Sequence, residues 1–157
     1  LSLEGTPAPP LDLSEHVGAP PPALDALKGR VVLMFFWAHW CSDCKAQIPV
    51  LERLVSRYGP RGLTLVAPTQ RYGYVAGGAA APAAEETRYI SGLRASTYAA
   101  LGDAPTPLAE ANHRRYGVST TPTIVLVDRQ GRGGGEDPGQ MSEERLAPLV
   151  ERLLAAR

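Results

Sequence analysis

Cysteine is scarce in this chain: Cys41 and Cys44 are the only two among 157 residues. That excludes a disulfide-rich scaffold and a four-thiolate zinc site, and it confines thiol chemistry to one short segment. Net charge is missing as well, since 16 Lys and Arg balance 16 Asp and Glu. Proteins that bind nucleic acid or lie on a membrane surface need a basic excess, so neither class fits. Long apolar runs are also absent. The longest, Val31 to Ala38, has eight residues, against roughly 20 for a membrane-spanning helix. Leu1 to Pro10 has no basic n-region and no apolar h-region. With Leu rather than Met first, the chain reads as a mature or trimmed form, open to an export signal upstream. No internal repeat occurs. Gly133-Gly134-Gly135 lacks the following Lys-Ser/Thr and the strand-to-helix setting of a phosphate loop.

What is present fits one domain over residues 1–157. A chain of this length buries roughly 70% of its unfolded surface and needs no staples. Sixteen Gly and 15 Pro imply several long loops. Residues 1–10 form an extended lead-in, and Leu11-Asp12-Leu13 alternates as a short edge strand would. Ala23 to Leu27 allows one helical turn. Val31 to Ala38 reads as a strand buried on both faces. From Ser42 the period changes: Ile48, Leu51, Leu54, Val55 and Tyr58 mark an amphipathic helix stopped at Gly59-Pro60. Leu63 to Ala67 is the next strand, completing a right-handed strand–helix–strand unit. Residues 70–84 read as a long loop, Glu85 to Leu101 as a helix and Asp103 to Leu108 as an extended connection. Ala109 to Tyr116 is a short helix and Thr123 to Asp128 a strand, followed by a turn into a Gly-rich stretch. A final helix is capped by Ser142, with Leu146, Leu149, Val150, Leu153 and Leu154 on its buried face.

The chemistry concentrates in Trp40-Cys41-Ser42-Asp43-Cys44, between the buried strand and the helix. Two cysteines so spaced at a helix start can close a small disulfide ring. When reduced, the first sulfur meets unpaired backbone N–H groups and the positive end of the helix, which favours the thiolate. Cys41, nearer the terminus and more exposed, is the expected attacker, and Cys44, one turn in, the resolving thiol. A structural disulfide or two inert buried thiols would be the plain alternative.

Phe35 to Pro49, FFWAHWCSDCKAQIP, resembles the thioredoxin superfamily: a strand ending in Phe-Trp-Ala, Trp before the CxxC, and Pro49 five residues after Cys44. Thr121-Pro122-Thr123, before a strand, matches the position of the family's cis-proline. Leu24 and Leu27-Lys28-Gly29-Arg30 resemble the exported TlpA-like and ResA-like branch, as does the long span 70–119. The resemblance implies an α/β thioredoxin-like fold. It has a central mixed sheet flanked by helices and an inserted strand and helix before the cis-proline strand. It also implies thiol–disulfide oxidoreduction on protein thiol or disulfide substrates, with Cys41 and Cys44 catalytic. Trp40, Thr121 and Pro122 would form the substrate-binding surface. No metal or organic cofactor is implied beyond the Cys41–Cys44 disulfide itself. The expected setting is a monomer outside the bacterial cytoplasm, using a membrane electron donor, with a cytoplasmic location left open.

Departures from the family matter. Thioredoxins carry a buried Asp where this chain has Phe35, and the TlpA-like branch often has Glu where Gln47 stands. Both usual proton acceptors are missing. Asp43, His39 or water then handles the Cys44 proton, or exchange is slow near neutral pH. His39 is read first as a solvent-exposed neighbour and second as a base. Asp43 is equally readable as a carboxylate that merely suits a first helical turn. Trp37 is expected in the core and Trp40 at the site. Pro49 is expected to kink its helix, and His16, His113, Lys45, Arg114 and Arg115 to lie at the surface. Two rival functions remain. A thiol peroxidase would place Thr where Ala38 lies, and a copper-binding thiol chaperone would usually space its cysteines by three residues. A scaffold keeping the motif only to bind partners is a third.

Overall fold

The strand Val31–Phe36 is buried at every position, and a strand of that kind needs cover on both faces. The computed structural model describes residues 3–156. Leu1 and Ser2 of the expected lead-in, and Arg157, lie outside the described residues. In chain order the elements are β1 (His16–Val17), β2 (Val31–Phe36), α1 (Ser42–Tyr58), β3 (Leu63–Val66), α2 (Ala83–Ala95), β4 (Thr106–Pro107), α3 (Glu110–Arg115), β5 (Thr123–Val127), β6 (Gly133–Pro138) and α4 (Glu143–Ala155). The main sheet runs β3-β2-β5-β6. β2 and β3 are parallel, joined through α1, while β5 is antiparallel to both β2 and β6. This is a mixed sheet with helices packed on it, as the α/β reading expects.

Side-chain alternation along β2 divides the core in two. Val31, Leu33 and Phe35 pack with Leu51 and Leu54 of α1, Ile90 of α2 and Leu146 of α4. Val32, Met34 and Phe36 pack with Val125, Val127 and Tyr116. The second cluster is closed by the lead-in and the single 3-10 turn Leu24–Leu27. α1 runs unbroken through Pro49, and Ser142 caps α4 by accepting the Arg145 N–H.

Three readings need correction. Leu11-Asp12-Leu13 forms no strand. Its backbone is held by Asn112, which accepts the Asp12 N–H at 2.6 Å and donates to the Asp12 carbonyl at 3.1 Å. The short strand is His16–Val17 instead, antiparallel to β4 in a separate two-stranded sheet. The helix expected to reach Leu101 stops at Ala95, and Tyr98 and Leu101 reach the core from a turn and a short 3-10 segment. Arg94 makes that ending stable by donating to the carbonyls of Tyr98, Gly102 and Ala104. The Gly-rich stretch is itself strand β6. A Cβ on Gly133 would sit 2.1 Å from the Leu3 carbonyl oxygen, and one on Gly134 would sit 2.7 Å from Leu153. Glycine is there because the lead-in and α4 both approach this edge closely.

Candidate active site

The turn between β2 and α1 delivers the cysteines. Trp37 anchors it: fully buried, it donates from Nε1 to the Ala67 carbonyl at 2.9 Å and lies against Tyr98, with ring centroids 4.3 Å apart. Its own carbonyl accepts the Thr69 hydroxyl at 2.6 Å. Trp37 is therefore core, as expected, and anchors the start of the turn beyond it.

Cys41 is the residue before α1, and its sulfur accepts the Cys44 N–H at 3.1 Å. A sulfur so placed caps the helix and shares its positive end. Cys41 and Cys44 are joined in a disulfide, with Cα atoms 5.3 Å apart. Cys41 retains 4% exposure whereas Cys44 retains none, the order expected of an attacking and a resolving thiol. Cys41 Sγ also lies 3.4 Å from the Thr121 carbonyl oxygen. The Thr121–Pro122 peptide bond is cis, and Pro122 is buried. Two segments 80 residues apart in sequence thus meet at one sulfur.

Trp40 is 51% exposed, the flat apolar surface expected beside the disulfide. Its ring meets Tyr72 edge to face, with centroids 5.5 Å apart. Together they wall a cleft of about 220 Å³, completed by Gln70, His113, Thr120 and Thr121. Burial pushes the Tyr72 hydroxyl up to about 12, so it stays protonated at neutral pH. Neither Tyr72 nor Gln70 was among the expected site residues, because they come from the long loop after β3.

The acid–base candidates divide. Asp43 is exposed in the first turn of α1, as is Lys45. Gln47 is buried and committed: it donates to the Met141 carbonyl at 2.8 Å and accepts the Met141 N–H at 2.7 Å. Phe35 is fully buried. His39, read first as solvent-exposed, is buried, with Nε2 3.1 Å from Glu86 Oε2. The reading failed because the partner lies 47 residues away on α2. Glu86 was missed altogether. Its only local signal, membership of a Glu85-Glu86 pair, is what a solvated helix start also shows.

His113 corrects a second surface assignment. It is buried, its ring edge-on to Phe36 at 5.1 Å, and neither ring nitrogen has a hydrogen-bond partner among the described residues. His16 is half-buried in β1, while Arg114 and Arg115 are exposed, as expected. Burial pushes the His113 pKa down to about 4 from an ordinary 6.5. Between those two values the unfolded chain binds a proton that the folded chain refuses. The stability this group contributes is therefore complete above pH 6.5 and is lost as pH falls through 4. Denaturant titrations at about pH 4.5 and 7.5 are expected to show the wild type losing about 2–3 kcal/mol more than His113→Leu on acidification. Equal losses in the two proteins would show that His113 does not carry this dependence.

Comparison with known proteins gives a consistent picture. A family model described as a thioredoxin-like domain matches residues 25–154. Thioredoxin-like protein YneN of Bacillus subtilis (strain 168) is 30% identical over 128 residues, 82% of this chain and 67% of that protein. Thiol-disulfide oxidoreductase ResA of Oceanobacillus iheyensis is 38% identical over 55 residues, 35% of this chain and 29% of that protein. The matched span is thus under a third of the Oceanobacillus protein and about two-thirds of YneN. Among solved structures, a putative thiol:disulfide interchange protein DsbE from Chlorobium tepidum superposes with a TM-score of 0.73. It shares 21% identity and covers 99% of this chain and 100% of its own, a likeness of fold. The match extends well beyond the cysteine segment, from the turn before β2 to the end of α4, and on that ground the chain belongs to the thioredoxin-like domain family.

Proposed function

We propose that this chain is a thiol–disulfide oxidoreductase that exchanges electrons with protein disulfides through Cys41 and Cys44. The observation that carries this reading is the capping sulfur of Cys41, bonded to the Cys44 N–H at 3.1 Å and 3.4 Å from the Thr121 carbonyl. In the reducing direction the Cys41 thiolate attacks one sulfur of a substrate disulfide, and the other substrate sulfur leaves as a thiolate. Cys44, deprotonated, then attacks Cys41 Sγ. The Cys41–Cys44 disulfide forms, and the second substrate sulfur leaves with the electron pair. A dithiol donor regenerates the pair.

Trp40, Thr121 and Pro122 form the surface on which substrate chain lies, the backbone beside Thr121 adding it as a strand. With Gln47 and His39 both engaged, the Cys44 proton goes to Asp43 or to water. No bound cofactor takes part. Among the described residues no helix is long and apolar enough to cross a membrane. The setting proposed is outside the cytoplasm of a bacterium, as the resemblance to the exported branch implies, with the chain a monomer served by a membrane electron donor.

Titration of the Cys41–Cys44 couple against glutathione, paired with insulin reduction, tests the reading. Insulin reduction with a potential near about −270 mV supports a reductase, and one nearer about −120 mV an oxidant. Peroxide turnover or stoichiometric copper binding without disulfide exchange would overturn it.

A further inference from the structure

Glu86 is used by none of the steps above, yet it is wholly buried. A carboxylate removed from water has to find donors in the protein. Three surround it. Oε2 accepts the Tyr72 N–H at 2.6 Å and lies 3.1 Å from His39 Nε2, and Oε1 accepts the Gly73 N–H at 2.8 Å. These donors belong to two separate segments, the loop after β3 and the turn between β2 and α1. Each segment carries one half of the aromatic wall of the cleft. Trp40 directly follows His39, and Tyr72 itself supplies the N–H.

The surroundings leave the link little freedom. The His39 ring packs nearly perpendicular to Tyr72, Tyr74 and Tyr89, with centroids 5.8, 5.6 and 5.3 Å away. Arg71 pins the same loop from outside, donating to Glu15 at 2.8 Å and to Thr87 of α2 at 3.1 Å. Glu86 does not itself line the cleft. It stands behind the wall and ties its two halves to one side chain.

Resting on the redox reading above, we propose that Glu86 is a positioning residue. By holding His39 and the Tyr72 N–H on one carboxylate it fixes the Trp40–Tyr72 wall against which an extended polypeptide substrate lies beside Cys41. It acts on affinity for protein disulfides rather than on the reactivity of the thiols. The Cys41 sulfur is stabilised by the Cys44 N–H at the start of α1, a contact Glu86 does not make. A wall held in place before substrate arrives lowers the ordering cost of binding, and a loosened wall raises KM.

Steady-state reduction of insulin by the whole chain, with dithiothreitol as electron donor, separates the outcomes. Glu86→Gln keeps the size of the side chain but leaves one acceptor oxygen where three donors converge. It is expected to raise KM about ten-fold, with kcat changed less than about two-fold and the potential of the Cys41–Cys44 couple unmoved. Glu86→Asp, which retains both oxygens, is expected to recover part of the KM. An unchanged KM, a fall in kcat alone, or a shifted potential would overturn the proposal, the last two placing Glu86 on the thiols. If Glu86→Gln does not fold, His39→Gln leaves both backbone N–H bonds of Glu86 in place and carries the same KM expectation, and an unchanged KM there overturns it. A wild-type chain that reduces no insulin overturns the redox reading and this proposal with it, a failure seen without any substitution.

Discussion

Cys41→Ser is expected to stop disulfide exchange, lowering insulin reduction by at least about a thousand-fold, since the lost group is the proposed nucleophile. A serine hydroxyl forms no mixed disulfide, and the helix start that favours a thiolate does not ionise an alcohol at neutral pH. Cys44→Ser is expected to behave differently. Cys41 still attacks, but nothing within reach releases it, so the chain accumulates as a one-to-one mixed disulfide with its substrate. Non-reducing mass spectrometry would detect the adduct, and dithiothreitol would remove it. The assignment follows from position: Cys41 caps α1 and keeps 4% exposure, while Cys44 lies in the first turn with none. A trapped adduct in Cys41→Ser and none in Cys44→Ser would reverse the two roles.

Trp37→Ala is expected to have the largest effect on stability. The indole is fully buried, packs against Tyr98 with the rings tilted and satisfies the Ala67 carbonyl. Truncating a core aromatic to Ala costs about 3–5 kcal/mol through lost burial and the cavity left behind. For a domain of this length that lowers Tm by roughly 6–20 °C. Trp37→Phe keeps most of the ring and removes the Nε1 donor, leaving the Ala67 carbonyl without it. Its expected cost is smaller, about 1–3 kcal/mol. Thermal melts of the three proteins check the order, and a Trp37→Phe variant as unstable as Trp37→Ala would mean that the hydrogen bond outweighs packing here. Because Trp37 also anchors the turn that carries Cys41, Trp37→Ala is expected to lose activity at temperatures where it remains folded.

Elements with a strong local signal agree between sequence and structure. The run from Val31 and the helix from Ser42 to Tyr58 are legible because burial on two faces and a period of 3.6 are properties of a few consecutive residues. Where a helix end or a strand depends on a distant partner, the agreement stops. Nothing near Ala95 says that Arg94 will gather three carbonyls. Likewise Gly133-Gly134 has the composition of a loop until Leu3 and Leu153 are seen pressing on it.

The site divides in the same way. Cys41 and Cys44 are legible in the sequence alone as a candidate redox pair, since their spacing at one helix start is local, and Trp40 is marked beside them by the family resemblance. Thr121 and Pro122 are recognisable from their motif, but only the folded chain brings the Thr121 carbonyl to 3.4 Å from Cys41. The buried state of His39, Glu86 and His113 was decided by tertiary structure. A short charged or polar residue carries no mark of its own burial. Burial follows from which segments close over it, and for Glu86 these are a turn 47 residues before it and a loop 13 and 14 residues before it. The two positions where a proton-handling acid was expected are filled by Phe35 and Gln47, a fact the sequence contains in full. That a carboxylate nevertheless lies behind the cleft, held by backbone N–H groups and an imidazole, became visible only in the fold.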